Sequence, residues 1–119
     1  MFHPFTYCEL HTADAPAAKR FYSRLFGWTM NDLPTPAGTY TEIKTGEGID
    51  GGLTGKDGAA PYWLTYVRVP DVSRTVGAAR DLGAKVLQDR LEIPEIGWFA
   101  VLADPAGARF AVFQPMEKK

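Results

Sequence analysis

Two stretches of this chain follow one plan. Residues 7–28 read YCELHTADAPAAKRFYSRLFGW, and residues 64–86 read LTYVRVPDVSRTVGAARDLGAKV. Each is a β-like run, an Asp, an amphipathic helical segment and a glycine stop. The two Asp residues, Asp14 and Asp71, lie about half a chain apart. A duplicated half-domain folds as two similar modules and predicts a cleft between them, where small ligands bind.

Local signals fill in the plan. Phe5–His11 reads as a strand with Tyr7, Glu9 and His11 on one face and Cys8 and Leu10 on the other. Asp14 is placed to cap a helix, with Pro16 in the first turn, where a missing N–H costs little. Ala18, Phe21, Tyr22, Leu25 and Phe26 make one apolar stripe, and Gly27 stops it. Strands are expected at Trp28–Leu33, Thr39–Thr45 and Ile49–Thr54, separated by turns at 34–38 and 46–48. Gly51-Gly52 within the third predicts a bulge or a close backbone approach. Lys56–Pro61 is the expected link between halves.

The second half repeats the order. Trp63–Val69 is a strand, Asp71 a cap, and Val72, Thr75, Val76, Ala79 and Leu82 a helical stripe ending at Gly83. Strands follow at Lys85–Leu91, Phe99–Ala103 and Arg109–Phe113, with Asp104-Pro105-Ala106-Gly107 as a type I turn. The fold class is therefore α+β: one domain of two βαβββ modules, about 1–55 and 62–115. The tail 117–119 is expected to fray.

Bulk properties exclude some classes. The 119 residues suffice for one domain, and 45% hydrophobic with 23% charged residues is ordinary globular composition. A net charge of −1 with scattered cations gives no electrostatic case for nucleic acid or an anionic membrane. No apolar run approaches the roughly 20 residues that span a bilayer. The first residues show no signal-peptide pattern, and the lone Cys8 fits a reducing, cytoplasmic setting.

The order and spacing of these pieces resemble the vicinal-oxygen-chelate superfamily, which includes glyoxalase I, bleomycin-resistance proteins, fosfomycin-resistance enzymes and extradiol dioxygenases. The matching pieces are Asp14, Phe21-Tyr22 and Leu25-Phe26-Gly27-Trp28, then Val69-Pro70-Asp71-Val72, Leu82-Gly83-Ala84, Asp104-Pro105-Ala106-Gly107 and Phe110. The resemblance implies strands curled into a partly open mixed barrel around a ligand cavity, and a homodimer. It also implies four metal-ligand positions, which fall on Tyr7, Glu42, Leu64 and Ala111. Only Glu42 keeps an ordinary ligand type, short of the three or more donors of a catalytic zinc site. No metal and no cofactor are expected.

By alternation, the cleft faces would carry Tyr7, Glu9 and His11; Tyr40, Glu42 and Lys44; Leu64, Tyr66 and Arg68; and Arg109, Ala111 and Phe113, with Trp98 on one wall. Such a pocket suits a small organic molecule with an apolar body and a polar handle. The competing reading is a filled barrel in which Glu9 and Glu42 pair with Lys44, Arg68 or Arg109. A third is a divergent lyase, isomerase or dioxygenase whose activity a chelator abolishes and Glu42→Gln removes; an acid–base mechanism without metal is open beside it, with Glu42 or Glu9 as base and Tyr7 or His11 as proton donor. His11 is expected to be a neutral, hydrogen-bonded strand-end residue, and Cys8 a small apolar one facing the helix.

Overall fold

A computed structural model describes residues 2–36, 38–55 and 61–117. Residues 56–60 of the expected linker, the turn residue Ala37 and residues 118–119 of the tail lie outside the described residues. The elements run β1 (Phe5–His11), α1 (Ala15–Phe26), β2 (Thr29–Thr35), β3 (Gly38–Lys44), β4 (Gly51–Thr54), β5 (Tyr62–Arg68), α2 (Val72–Asp81), β6 (Lys85–Ile93), β7 (Gly97–Ala103) and β8 (Arg109–Pro115). This is βαβββ twice. Two compact units result: Tyr7–Leu64, and Thr65 onward with the residues before Tyr7.

In the first unit the strands lie in the order β2-β3-β4-β1, with β1 parallel to β4 and the other pairs antiparallel. Asp14 caps α1 by accepting the Ala17 N–H at 3.1 Å, which contributes about 1 kcal/mol. Gly27 ends the helix at φ 72°, a left-handed conformation that glycine adopts without strain. The core is Leu10, Ile43 and Leu53, with Ala15, Ala18, Tyr22, Trp28 and Met30 packed on it. Thr41 on β3 and Lys19 on α1 both reach Asp32 on β2, at 2.7 and 3.0 Å, and hold its carboxyl below the usual range.

The second unit orders its strands β5-β8-β7-β6, with β5 parallel to β8. Asp71 caps α2 through the Arg74 N–H at 3.0 Å. Val72 and Val76 of α2 bury completely against Val69, Ala100, Leu102 and Val112. Gly107 N–H donates to the Asp104 carbonyl at 2.8 Å, and the Asp104 carboxylate accepts from Ala106 and Ala108, so the expected turn is formed. Gly77, inside α2, has open space where a Cβ would stand. Gly77→Ala should raise stability by about 0.5–1 kcal/mol, read as a higher urea midpoint, because alanine restricts the unfolded chain and favours the helix.

Several expectations need correction. The α1 stripe is not buried: Phe21, Leu25 and Phe26 are each more than half exposed, and only Ala18 and Tyr22 of it reach the core. Leu82 is exposed beyond the end of α2. The strand β2 continues through Pro34 and Thr35, because its edge position asks no ladder donor of Pro34. The strand β4 starts at Gly51, not Ile49, and Gly51-Gly52 pairs in regular register without a bulge. The close approach is the part of that expectation that holds.

Candidate functional site

Alternation sends Cys8 and Leu10 of β1 towards α1, and Tyr7, Glu9 and His11 to the opposite face. Glu9 lies in register with Gly52 on β4, and Gly52 with Glu42 on β3. Position 52 has no side chain, so the phenols from either side lean over it. Tyr7 and Tyr40 meet there at 2.6 Å. A Cβ on Gly52 would stand 1.8 Å from the Tyr40 hydroxyl and 2.4 Å from that of Tyr7. Gly52 is thus the floor on which the two rings converge.

The hydrogen bonds continue in one line. The Tyr40 hydroxyl donates to Glu9 Oε2 at 2.7 Å. A phenol has one proton, so Tyr40 spends it on Glu9 and must accept from Tyr7. His11 Nε2 stands 2.7 Å from Glu9 Oε1, and a carboxylate accepts only, so the Nε2 proton lies on the imidazole. The His11 ring stacks on Tyr62 at a centroid distance of 4.7 Å with an 8° interplanar angle. Burial, reinforced by the Glu9 charge, pushes the Tyr7 phenol up to about 12 even though its bond to Tyr40 opposes the rise. Burial and Glu9 push Tyr40 higher still. Both phenols therefore hold their protons through the physiological range.

Of the expected residues, then, the structure brings Tyr7, Glu9, His11 and Tyr40 together. Glu42 takes another partner, the Asn31 amide at 3.1 Å, and no Lys or Arg among the described residues. Lys44 pairs with Asp50 at 3.4 Å in an exposed contact, where an ion pair is worth little. Leu64 is buried. In the second unit, Tyr66 is buried against Phe99 at 6.3 Å, Ala111 is fully buried, and Phe113 closes over Gly97. Arg68 and Arg109 are exposed. Trp98 corrects the sequence reading: with Ala100 and Leu102 it faces α2, packs on the α2 core and lies under Arg90 at 5.4 Å. Phe99 and Val101, which pair with Phe113 and Ala111, occupy the opposite face.

Sequence reasoning missed Tyr62, because it began the strand one residue late. The signal was present: Tyr62 shares the face of Leu64 and Tyr66. Cys8 lies half-buried on the helix side, in a cavity of about 170 Å³ shared with Trp28, Ile43, Ile49, Trp63 and neighbours. That is smaller than the roughly 300 Å³ of a usual ligand pocket.

The four positions that the resemblance assigns to metal ligands do not fit a divalent ion. Tyr7 is a protonated phenol bonded to Tyr40, and Glu42 is held by Asn31. Leu64 and Ala111 have no donor atom. Among the described residues, no three His, Cys, Asp or Glu side chains are grouped to hold one.

Fold and sequence together place the chain among α+β proteins built from paired βαβββ modules. Residues 7–113 match the glyoxalase-like domain, and the chain belongs to that family. It is 33% identical over 113 residues to "Putative glyoxylase CFP32" of Mycobacterium bovis, covering 89% of this chain and 43% of that protein. It is 28% identical over 123 residues to the anthracycline biosynthesis protein DnrV of Streptomyces peucetius, covering 89% and 45%. The chain thus spans less than half the length of these curated relatives. Among solved structures, methylmalonyl-CoA epimerase from Mycobacterium tuberculosis superposes with a TM-score of 0.69 at 13% identity, covering 95% of this chain and 88% of that one. The Streptomyces coelicolor epimerase superposes at 0.67 and 15%, covering 100% and 99%. At such identities the likeness is one of fold. No described helix is long and apolar enough to cross a membrane.

Proposed function

We propose that this glyoxalase-like domain binds a small organic molecule without a metal, over the sheet face that carries Tyr7, Glu9, His11 and Tyr40. The observation that carries this reading is the continuous line Tyr7–Tyr40–Glu9–His11, built over a glycine floor and ended by the Tyr62 ring. Tyrosine rings offer apolar walls, while their hydroxyls and the imidazole offer fixed polar atoms. A ligand with a planar or acyl body and an oxygen-bearing handle matches that chemistry. The donor set argues against routing the reading through a metal. The relatives' names, a glyoxylase and an anthracycline biosynthesis protein, agree with small oxygenated organic substrates as a class.

The same line supports a second reading, acid–base catalysis by a divergent lyase or isomerase. Two phenols and an imidazole proton gathered around one carboxylate can pass a proton to a bound ligand. The neighbouring epimerase structures share the fold. Glu9 is the base in this reading.

Chelator-treated protein, confirmed metal-free by native mass spectrometry, should bind members of a library of aromatic and acyl carbonyl compounds in a thermal-shift screen. Isothermal titration of the best compound should show binding weakened at least tenfold by Glu9→Gln. Binding that appears only after Zn²⁺, Ni²⁺, Fe²⁺ or Mn²⁺ is added would defeat the metal-free reading. Turnover that survives chelation and disappears in Glu9→Gln would select the catalytic one.

A further inference from the structure

The two helices occupy corresponding places in the repeat and behave differently. The helix α2 buries its apolar positions Val72 and Val76. The helix α1 has no fully buried residue, and Phe21, Leu25 and Phe26 stand 58%, 57% and 57% exposed. Single exposed apolar residues are common, but three within two turns of one helix form a patch. Arg20 and Arg24 run beside Phe21 and Leu25 at the same one-turn spacing, all four lining one open groove. The helix α1 contains no acidic residue, and its remaining cation, Lys19, is engaged by Asp32. Among the described residues, neither Arg20 nor Arg24 has a carboxylate partner.

The chain carries the chemical complement elsewhere. The turn between β6 and β7 is Ile93-Pro94-Glu95-Ile96, closed by Ile96 N–H donating to the Ile93 carbonyl at 2.9 Å. Its third residue, Glu95, has φ 69°, where such a turn ordinarily takes glycine. A glutamate held at that cost, with no ion pair among the described residues, points to a use for its charge. Glu92 is likewise exposed and unpaired by any described cation, and Ile96 at the tip is 56% exposed. Two carboxylates and an apolar anchor on a hairpin match two guanidiniums and an apolar stripe on a helix.

We propose that the α1 face is a contact between copies of this chain, and that its occupant is the β6–β7 hairpin tip of a second copy. Arg20 and Arg24 pair with Glu92 and Glu95, and Ile96 packs between Phe21 and Leu25. A face of α1 meeting itself would oppose arginine to arginine, whereas the hairpin supplies opposite charge. The chain's net charge of −1 sets no general repulsion between copies. This contact stands apart from the ligand-binding reading, and either can fail alone.

Charge exchange tests it. Sedimentation equilibrium of the full chain in 50 mM salt should show self-association. Arg20→Glu with Arg24→Glu should weaken it at least tenfold, and so should Glu92→Lys with Glu95→Lys. Mixing the two double variants should restore association, since each altered helix then meets an altered hairpin and each native helix a native one. Circular dichroism and thermal melting of each variant confirm that it is folded. The substitution Phe21→Ser, at an exposed position, should weaken association while leaving the melting temperature of the dilute protein within a few degrees. A wild-type chain that stays monomeric at 200 μM overturns the proposal. So does association that neither double variant weakens, or two folded variants that remain apart when mixed.

Discussion

Gly51→Ala should lower the stability of the chain by about 3 kcal/mol, a drop of about 10 °C or more in melting temperature. A Cβ at position 51 would stand 2.3 Å from the carbonyl oxygen of Cys8. That oxygen is backbone of β1, in register with β4, and cannot swing aside as a side chain can. Relief requires β4 to move away from β1, which breaks the parallel pairing that closes the first unit's sheet. Against a total stability of about 5–15 kcal/mol for a domain, the loss is large. The neighbouring change Gly52→Ala differs in kind. Its Cβ meets hydroxyl groups at the ends of Tyr40 and Tyr7, which can rotate away. It should cost less stability but separate the two phenols. Urea denaturation of both variants beside Gly77→Ala measures the ranking. A loss under 1 kcal/mol for Gly51→Ala would mean that β4 and β1 do not approach as described.

Tyr40→Phe should have the largest effect on the candidate site. Its hydroxyl is the central link, accepting from Tyr7 and donating to Glu9. Removing it withdraws one donor from a buried carboxylate and one acceptor from a half-buried phenol, at a cost of about 2 kcal/mol. Ligand affinity should fall at least tenfold, because the line that orients Tyr7 is cut.

The same substitution changes the alkaline behaviour. Burial raises the Tyr7 phenol to about 12 and Tyr40 further, while an unfolded tyrosine ionises near pH 10. The folded state therefore holds these protons more tightly than the unfolded chain. Their contribution to stability is complete below pH 10 and is lost as the pH rises through and beyond 12. Wild-type stability should fall between pH 10 and 12, and Tyr40→Phe should fall less steeply. Urea midpoints at pH 8, 10 and 11 test this. Equal slopes for the two proteins would show that the buried phenols do not titrate as a linked pair.

What was legible in the chain was local. The repeat, the Asp14 and Asp71 caps, the Gly27 stop and the turn at Asp104–Gly107 each rest on hydrogen bonds spanning a few residues. Sequence alone determines them, and their order fixes the βαβββ plan and the family. Alternation along β1 likewise put Tyr7, Glu9 and His11 on one face, since that depends only on a period of two.

The partners of those side chains were decided by register. Glu9, Tyr40 and Gly52 lie on three strands, and their meeting depends on β4 pairing with β1 and β3 at one alignment. A shift of one residue would turn every β4 side chain to the other face, and in one direction would set Leu53 on the floor and part the phenols. The pairing of β2 with β3 likewise gave Glu42 to Asn31, and packing against α2 took Trp98 to the helix side. Packing also left the apolar stripe of α1 half exposed while α2 buried its own. A period in the sequence says which residues share a face. Only the packed neighbours decide whether that face meets a core, a ligand or another molecule.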